Sequence, residues 1–271
     1  MTSPLIAFIG GGNMATAIIG GLIRDGHAPQ QILVVDPVEA QRSKLESALG
    51  VRTQAAPDAA LGEATVVVWA VKPQQFKDAA AQVGGHAAVA LHYSVMAGLR
   101  TDDMARLLGS PRIVRAMPNT PALVGQGMTG LFARPEVTAE ERERIAAMVR
   151  PTGQAVWVDA EAQLDAVTAL SGSGPAYVFY FIEAMVQAAQ DMGLSAEQGR
   201  QLALATFAGA TSLATQSADS PAVLRERVTS KGGTTYAALT HLESAGVKAT
   251  FVAAMRQAQA RAAELGDEFG R

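Results

Sequence analysis

Two short stretches of the 271-residue chain place small residues and hydroxyls where anions can be held. They are Ser171-Gly172-Ser173-Gly174-Pro175 and, further along, Ser230-Lys231-Gly232-Gly233-Thr234-Thr235. Each precedes a helical pattern, where unpaired backbone N–H groups and the positive end of the helix dipole attract a carboxylate. In the second stretch Gly232 and Gly233 let a ligand approach the backbone, while Thr234 and Thr235 offer hydroxyls. The plainer alternative for the first stretch is a flexible connector. Against it, Pro175 suits the first position of a helix with Ser173 and Gly174 as caps, which would aim the N–H groups.

A third small-residue run, Gly10-Gly11-Gly12-Asn13-Met14-Ala15, directly follows the apolar stretch Leu5–Ile9 and opens a helical pattern. This is G-x-G-x-x-A in a strand, turn and helix context, the fingerprint of a dinucleotide pyrophosphate site. Gly10 permits the tight turn, Gly12 the approach of the phosphates, and Ala15 close packing of helix on strand. Asn13 and Met14 contribute the first N–H groups of the helix.

Other cofactor candidates sit where strands are expected to end. Asp36 closes the second strand pattern and is placed either to bind the adenosine ribose or to cap the helix that begins near Pro37. A ribose role favours NADH, although Arg42 and Lys44 follow closely enough to meet a 2′-phosphate. Ala70-Val71-Lys72-Pro73, Ala97 within Ser94-Val95-Met96-Ala97-Gly98, and Asn119 within Met117-Pro118-Asn119-Thr120-Pro121 end later strands at the carboxyl edge, where open α/β sheets bind ligands. The alternatives are a solvated strand-end charge for Lys72 and a local Asx turn for Asn119.

These residues need a scaffold, and the hydrophobic pattern supplies one. Short β-branched runs at 5–9, 32–35, 65–71, 89–95, 113–117, 128–132 and 155–158 alternate with helical segments, which predicts parallel βαβ units up to residue 159. From 160 to 271 strand signals cease, and helices are expected at 160–170, 174–192, 195–217, 220–229, 233–244 and 246–266. The fold class is α/β: a Rossmann-like domain over 1–159, then an all-helical domain over 160–271. Runs such as Leu202-Ala203-Leu204-Ala205 are apolar around much of the helix, more than one small domain buries alone, which predicts subunit contacts.

Composition narrows the function. A net charge of -3 lacks the basic surface of a nucleic-acid binder, and no run reaches the length of a membrane span, so neither partner is expected. The absence of cysteine excludes disulfides and thiol catalysis and fits the cytoplasm. No leader sequence is expected before Leu5. His27, His86, His92 and His241 show no metal spacing and are expected on loops or the surface, so no metal is assigned.

Ser-Gly-Ser-Gly-Pro-Ala-Tyr from Ser171, with Gly-Gly-Thr-Thr from Gly232, resembles the signature of the pyrroline-5-carboxylate reductases, and Ala70 to Pro73 and Met117 to Pro121 resemble that family's cofactor loops. The resemblance spans almost the whole chain. It implies reduction of a cyclic imine carboxylate to L-proline by NADH or NADPH, with Ser171, Gly172, Ser173, Gly174, Gly232, Gly233, Thr234 and Thr235 holding the substrate and Thr235 at the ring nitrogen. It also implies a homodimer, or a decamer of five dimers, pairing through the helical domain, with each pocket formed partly by a neighbour. Where the family commonly has Ser-Pro-Gly-Gly-Thr-Thr, this chain has Lys231 in place of the proline. Related hydroxy-acid dehydrogenases carry a proton-moving lysine in the helical domain; here no lysine falls between Lys77 and Lys231. An imine needs none, because its nitrogen arrives protonated. The rival readings are a reductase of another cyclic imine acid and a non-catalytic dinucleotide sensor.

Overall fold

The computed structural model describes residues 4–270; the expectation about the extreme N-terminus lies outside them. Eight strands form one sheet: β1 (Leu5–Ile9), β2 (Ile32–Val35), β3 (Arg52–Gln54), β4 (Ala64–Trp69), β5 (Leu91–Ser94), β6 (Ile113–Met117), β7 (Gly127–Ala133) and β8 (Gly153–Trp157), in the order β3-β2-β1-β4-β5-β6-β7-β8. The helices are α1 (Asn13–Arg24), α2 (Glu39–Leu49), α3 (Phe76–Val83), α4 (Thr101–Leu108), α5 (Ala139–Val149), α6 (Gln163–Val167), α7 (Gly174–Asp191), α8 (Ala196–Gln216), α9 (Pro221–Arg227), α10 (Thr234–Ser244) and α11 (Val247–Phe269). A π-helix, Thr168–Gly172, joins α6 to α7.

The α/β class is observed, with two departures from the expected strands. β3 is an additional edge strand whose polar Arg-Thr-Gln sequence gave no apolar signal. β7 runs antiparallel to β6, with Ala116 opposite Leu131. The link from Met117 to Gly127 explains this, because a parallel neighbour needs a crossover of a dozen or more residues.

Alternation along the strands feeds two cores. Ile6, Phe8, Val34, Val66 and Val68 face Ile18, Ile19 and Leu22 of α1 and Ile145 and Met148 of α5. Leu5, Ala7, Ile9, Val35, Val67 and Trp69 face Phe76, Ala80 and Val83 of α3 and Met104 of α4. Successive side chains thus enter opposite layers, as a sheet covered on both faces requires. Thr138 is the N-cap of α5 and forms a reciprocal capping box with Glu141.

By packing, the chain divides into one unit up to Ser173 together with residues from Ala258 onward, and a second over Gly174–Gln257. Residues 160–173 and the end of α11 therefore side with the sheet, whereas the boundary expected at 159/160 assigned them to the helical domain. One cause is visible at Glu161. Its carboxylate accepts the Thr101 N–H at 2.8 Å and the Thr101 hydroxyl at 2.6 Å, and pairs with the buried Arg115 at 2.9 Å. Gly130 of β7 admits α6 at close range, since a Cβ there would lie 2.6 Å from Val167. The second unit is helical throughout, and Phe251 packs edge-on against Tyr177 and Phe181. It leaves Phe179, Tyr180, Leu202, Leu213 and Val228 largely exposed, as the apolar helix pattern anticipated.

Candidate active site

At the carboxyl edge of β1, β2 and β4 lies a cleft of about 400 Å³. Seven of the expected cofactor residues line it: Gly10, Gly11, Gly12, Asp36, Ala70, Val71 and Lys72. The local sequence explains the shape. Gly10 takes φ +95° and donates its N–H to the Val35 carbonyl at 2.8 Å; a Cβ would stand 2.8 Å from the Ala70 carbonyl oxygen, so only glycine fits. Gly12 faces open space, with no protein atom within 4 Å of the point where a Cβ would stand. It is also the N-cap of α1, without a side-chain cap and without an acidic residue in the first turn. The opening N–H groups of that helix, at Asn13 and Met14, are left for a ligand anion.

Asp36 is not the N-cap of α2. One carboxylate oxygen accepts the N–H of Gly11 at 2.8 Å and the other accepts the N–H of Val38 at 2.9 Å. The residue that caps α2 is Val38. Asp36 thus ties the glycine turn to the start of α2 while still lining the cleft. Two neighbours complete this corner: Gln41, which pattern reading missed, donates to the Gly11 carbonyl, and Arg42 donates to the Asp36 carbonyl at 2.8 Å. Both sit on the first turn of α2, so a helix starting at residue 39 was the available signal.

Pro73 opens a 3₁₀ turn just after Lys72, which is exposed and has no ion-pair partner among the described residues. Ala97 and Asn119 lie outside this cleft's lining. Ala97 is exposed, whereas the preceding Met96 is buried in the core with Trp69 and Met104, which accounts for a bulky apolar residue there. Asn119 is committed at both ends of its amide: it accepts the Met128 N–H at 2.9 Å and donates to the Ser171 carbonyl at 3.0 Å.

The two substrate stretches differ in geometry. No helix starts at Ser173. The chain runs through the π-helix with Ser173 still helical at φ −83°, ψ −17°, and the Ser173 N–H is taken by the Thr168 carbonyl at 2.8 Å. Small residues allow the wider turn, and Pro175 limits the donors available to close a regular one. The Ser171 hydroxyl bonds back to the Val167 carbonyl, leaving the Ser173 hydroxyl without a partner among the described residues. The second stretch is a true helix N-terminus. The Gly233 N–H bonds to the Ser230 carbonyl at 3.0 Å across Lys231 and Gly232, with Gly232 at φ +76°, a type II turn. Gly233 then caps α10 with extended backbone and no side-chain cap, followed by the exposed Thr234 and half-buried Thr235.

Of the four histidines, His92 is corrected. It lies on β5, only 2% exposed, where its Nδ1 accepts the Trp69 indole N–H at 3.1 Å. A polar residue on a central strand is stable there because the adjacent strand supplies its partner. Burial, reinforced by the Arg112 cation, pushes its pKa down to about 4. Among the described residues no group of three or more His, Asp or Glu side chains is disposed to hold a metal ion, and no helix is long and apolar enough to cross a membrane.

Comparison with known proteins fits this geometry at both ends of the chain. Residues 5–98 match the family described as NADP oxidoreductase, coenzyme F420-dependent, and residues 161–265 match pyrroline-5-carboxylate reductase dimerisation. The pyrroline-5-carboxylate reductase of Pseudomonas aeruginosa is 43% identical over 100% of both chains. The chain belongs to the pyrroline-5-carboxylate reductase family. A second reductase of this name, from Haemophilus influenzae, is 41% identical over 98% of each chain. Among solved structures, the pyrroline-5-carboxylate reductase of Coxiella burnetii superposes with a TM-score of 0.90 at 39% identity, covering 98% of this chain and 99% of that one. The Plasmodium falciparum pyrroline carboxylate reductase, solved with NADP bound, gives 0.87 at 26% identity over 98% and 99%. The α/β first part and helical second part are therefore those of a reductase family with a dimerisation region.

Proposed function

We propose that this chain reduces 1-pyrroline-5-carboxylate to L-proline, the closing step of proline formation, with NADH or NADPH as reductant. The observation that carries the proposal is the uncapped, glycine-built N-terminus of α1 opening into the β1–β2–β4 cleft of a chain in this family. That cradle fits a dinucleotide pyrophosphate: a space free of side chains, orphan N–H groups and no competing carboxylate in the first helical turn. When bound, the nicotinamide supplies a hydride to the imine carbon.

The protein's own work is binding and orientation. Gly10, Gly11, Gly12, Asn13 and Met14 hold the pyrophosphate, Ala70 to Pro73 and Ala97 line the nucleotide, and Asp36 meets the ribose. Arg42, held to the Asp36 carbonyl, stands at the same corner and allows the 2′-phosphate of NADPH, so both nucleotides serve. At α10, the free N–H groups after Gly233 hold the substrate carboxylate, and the Thr235 hydroxyl, without a partner among the described residues, contacts the ring nitrogen. Gly232 and Thr234 shape that turn, and Ser171 to Gly174 contribute the other substrate loop, with Ser173 offering the free hydroxyl. No base is required, since the imine nitrogen enters as an iminium and becomes the amine of proline.

The exposed apolar residues of Gly174–Gln257 support pairing into a homodimer, and five such dimers into a decamer, with pockets shared between subunits. A cysteine-free chain suits the cytoplasm. The test is oxidation of NADH or NADPH that depends on added 1-pyrroline-5-carboxylate, run beside the six-membered homologue. Turnover of the five-membered imine supports the proposal. Preference for the larger ring favours another cyclic imine acid, and no turnover with tight nucleotide binding leaves a sensor. Sedimentation at micromolar concentration shows a dimer or larger species if the assembly proposal holds, and a monomer with full activity contradicts it.

A further inference from the structure

The π-helix Thr168–Gly172 has a feature that its own sequence leaves incomplete. In a regular helix the carbonyl of Ser171 accepts the N–H of the residue four positions on, and that residue is Pro175, which has none. Asn119 fills the gap from the loop after β6, donating its side-chain amide to that carbonyl at 3.0 Å. The other end of the same amide accepts the Met128 N–H from β7 at 2.9 Å, so the side chain is fixed in orientation by the sheet before it reaches Ser171. A second contact lies beside the turn: at Gly172 a Cβ would stand 2.5 Å from the movable methyl end of the Met117 side chain. π-Turns of this kind are rare and are kept where a helix must re-aim its residues.

We infer that Asn119 is a positioning residue of the substrate loop, holding Ser171, Gly172 and Ser173 through the Ser171 carbonyl, rather than a contact to the nicotinamide. This rests on the reading of those three residues as part of the substrate site. Both ends of its amide are bound to protein, so the orientation of Asn119 is set by β7 and the π-helix and needs no ligand to fix it.

Asn119→Asp tests this in the full chain, because a carboxylate keeps the Met128 contact but turns the donor to Ser171 into a negatively charged acceptor that repels its carbonyl, and Asn119→Ala removes the donor without adding charge. The inference expects faster amide hydrogen exchange at 168–173, with the Ser173 N–H as reporter, while 127–129 stays protected. It also expects the KM for the imine to rise by roughly threefold to tenfold, as for one lost hydrogen bond, with the NADPH Kd within about twofold of wild type. Asn119→Ala, which drops both bonds, should loosen both segments, so either variant alone decides. Unchanged exchange at 168–173, or a weakened NADPH Kd with an unchanged imine KM, overturns the inference. Should wild-type protein not turn over the imine, the proposed function fails by itself, and exchange with NADPH titration still judges Asn119.

Discussion

The carboxylate of Asp36 accepts the backbone N–H of Gly11 at 2.8 Å, so the residue that follows β2 also holds the glycine turn before α1. The acid is only 9% exposed, and its second oxygen is taken by Val38. In the proposed nucleotide site, cofactor choice and loop rigidity would then share one side chain.

Asp36→Ser should separate the two. Loss of the acceptor leaves the buried Gly11 N–H unpaired, which costs on the order of 1–3 kcal/mol and lowers Tm. Removing the negative charge should also raise the kcat/KM ratio of NADPH to NADH, since a 2′-phosphate no longer faces a like charge. A lowered Tm with an unchanged ratio would show that Asp36 only braces the turn.

Thr235→Ala should lower kcat/KM for the imine by roughly ten- to hundredfold, the worth of one hydrogen bond to a charged group, and leave NADPH affinity nearly unchanged. The hydroxyl has no partner to lose among the described residues, so the fold should be unaffected. Wild-type kinetics in this variant remove Thr235 from the site.

Lys231→Pro should raise stability by roughly 0.4–1 kcal/mol. Lys231 is the second residue of the type II turn closed by Gly233 and Ser230, where proline's fixed φ suits the backbone and its missing N–H costs nothing. The proline common in the family thus stiffens a turn that Gly232 already permits. Thermal unfolding that is unchanged or earlier would refute this.

His92 predicts a pH dependence of stability. Its pKa is about 4 when folded and 6.5 as the ordinary value, so between those limits the unfolded chain binds more protons. Its contribution is complete above pH 6.5 and is lost as pH falls toward 4, by up to about 3 kcal/mol. In His92→Gln, which keeps an acceptor for the Trp69 indole, the decline in Tm over this window should be shallower. Parallel declines in the two proteins would place the effect elsewhere.

The parts read most readily from sequence were those determined by consecutive residues. Gly10 to Ala15 declares the glycine turn because size alone governs that geometry. The antiparallel β7 depends on the length of a loop, which strand periodicity ignores. The π-helix depends on Asn119, fifty-two residues from Ser171, and the burial of His92 depends on Trp69 in the neighbouring strand. Such partners meet only after the sheet forms, so no local pattern announces them. Asp36 is an intermediate case: its place at the end of β2 was legible, whereas its bond to Gly11 needed the turn to be folded.

Hydride transfer itself can be followed with NADPH carrying deuterium at both C4 positions, 1-pyrroline-5-carboxylate as acceptor, and mass spectrometry of the product. The account predicts L-proline with one deuterium, located on the ring carbon that was double-bonded to nitrogen. Proline free of deuterium, or nucleotide consumption without proline, would contradict it.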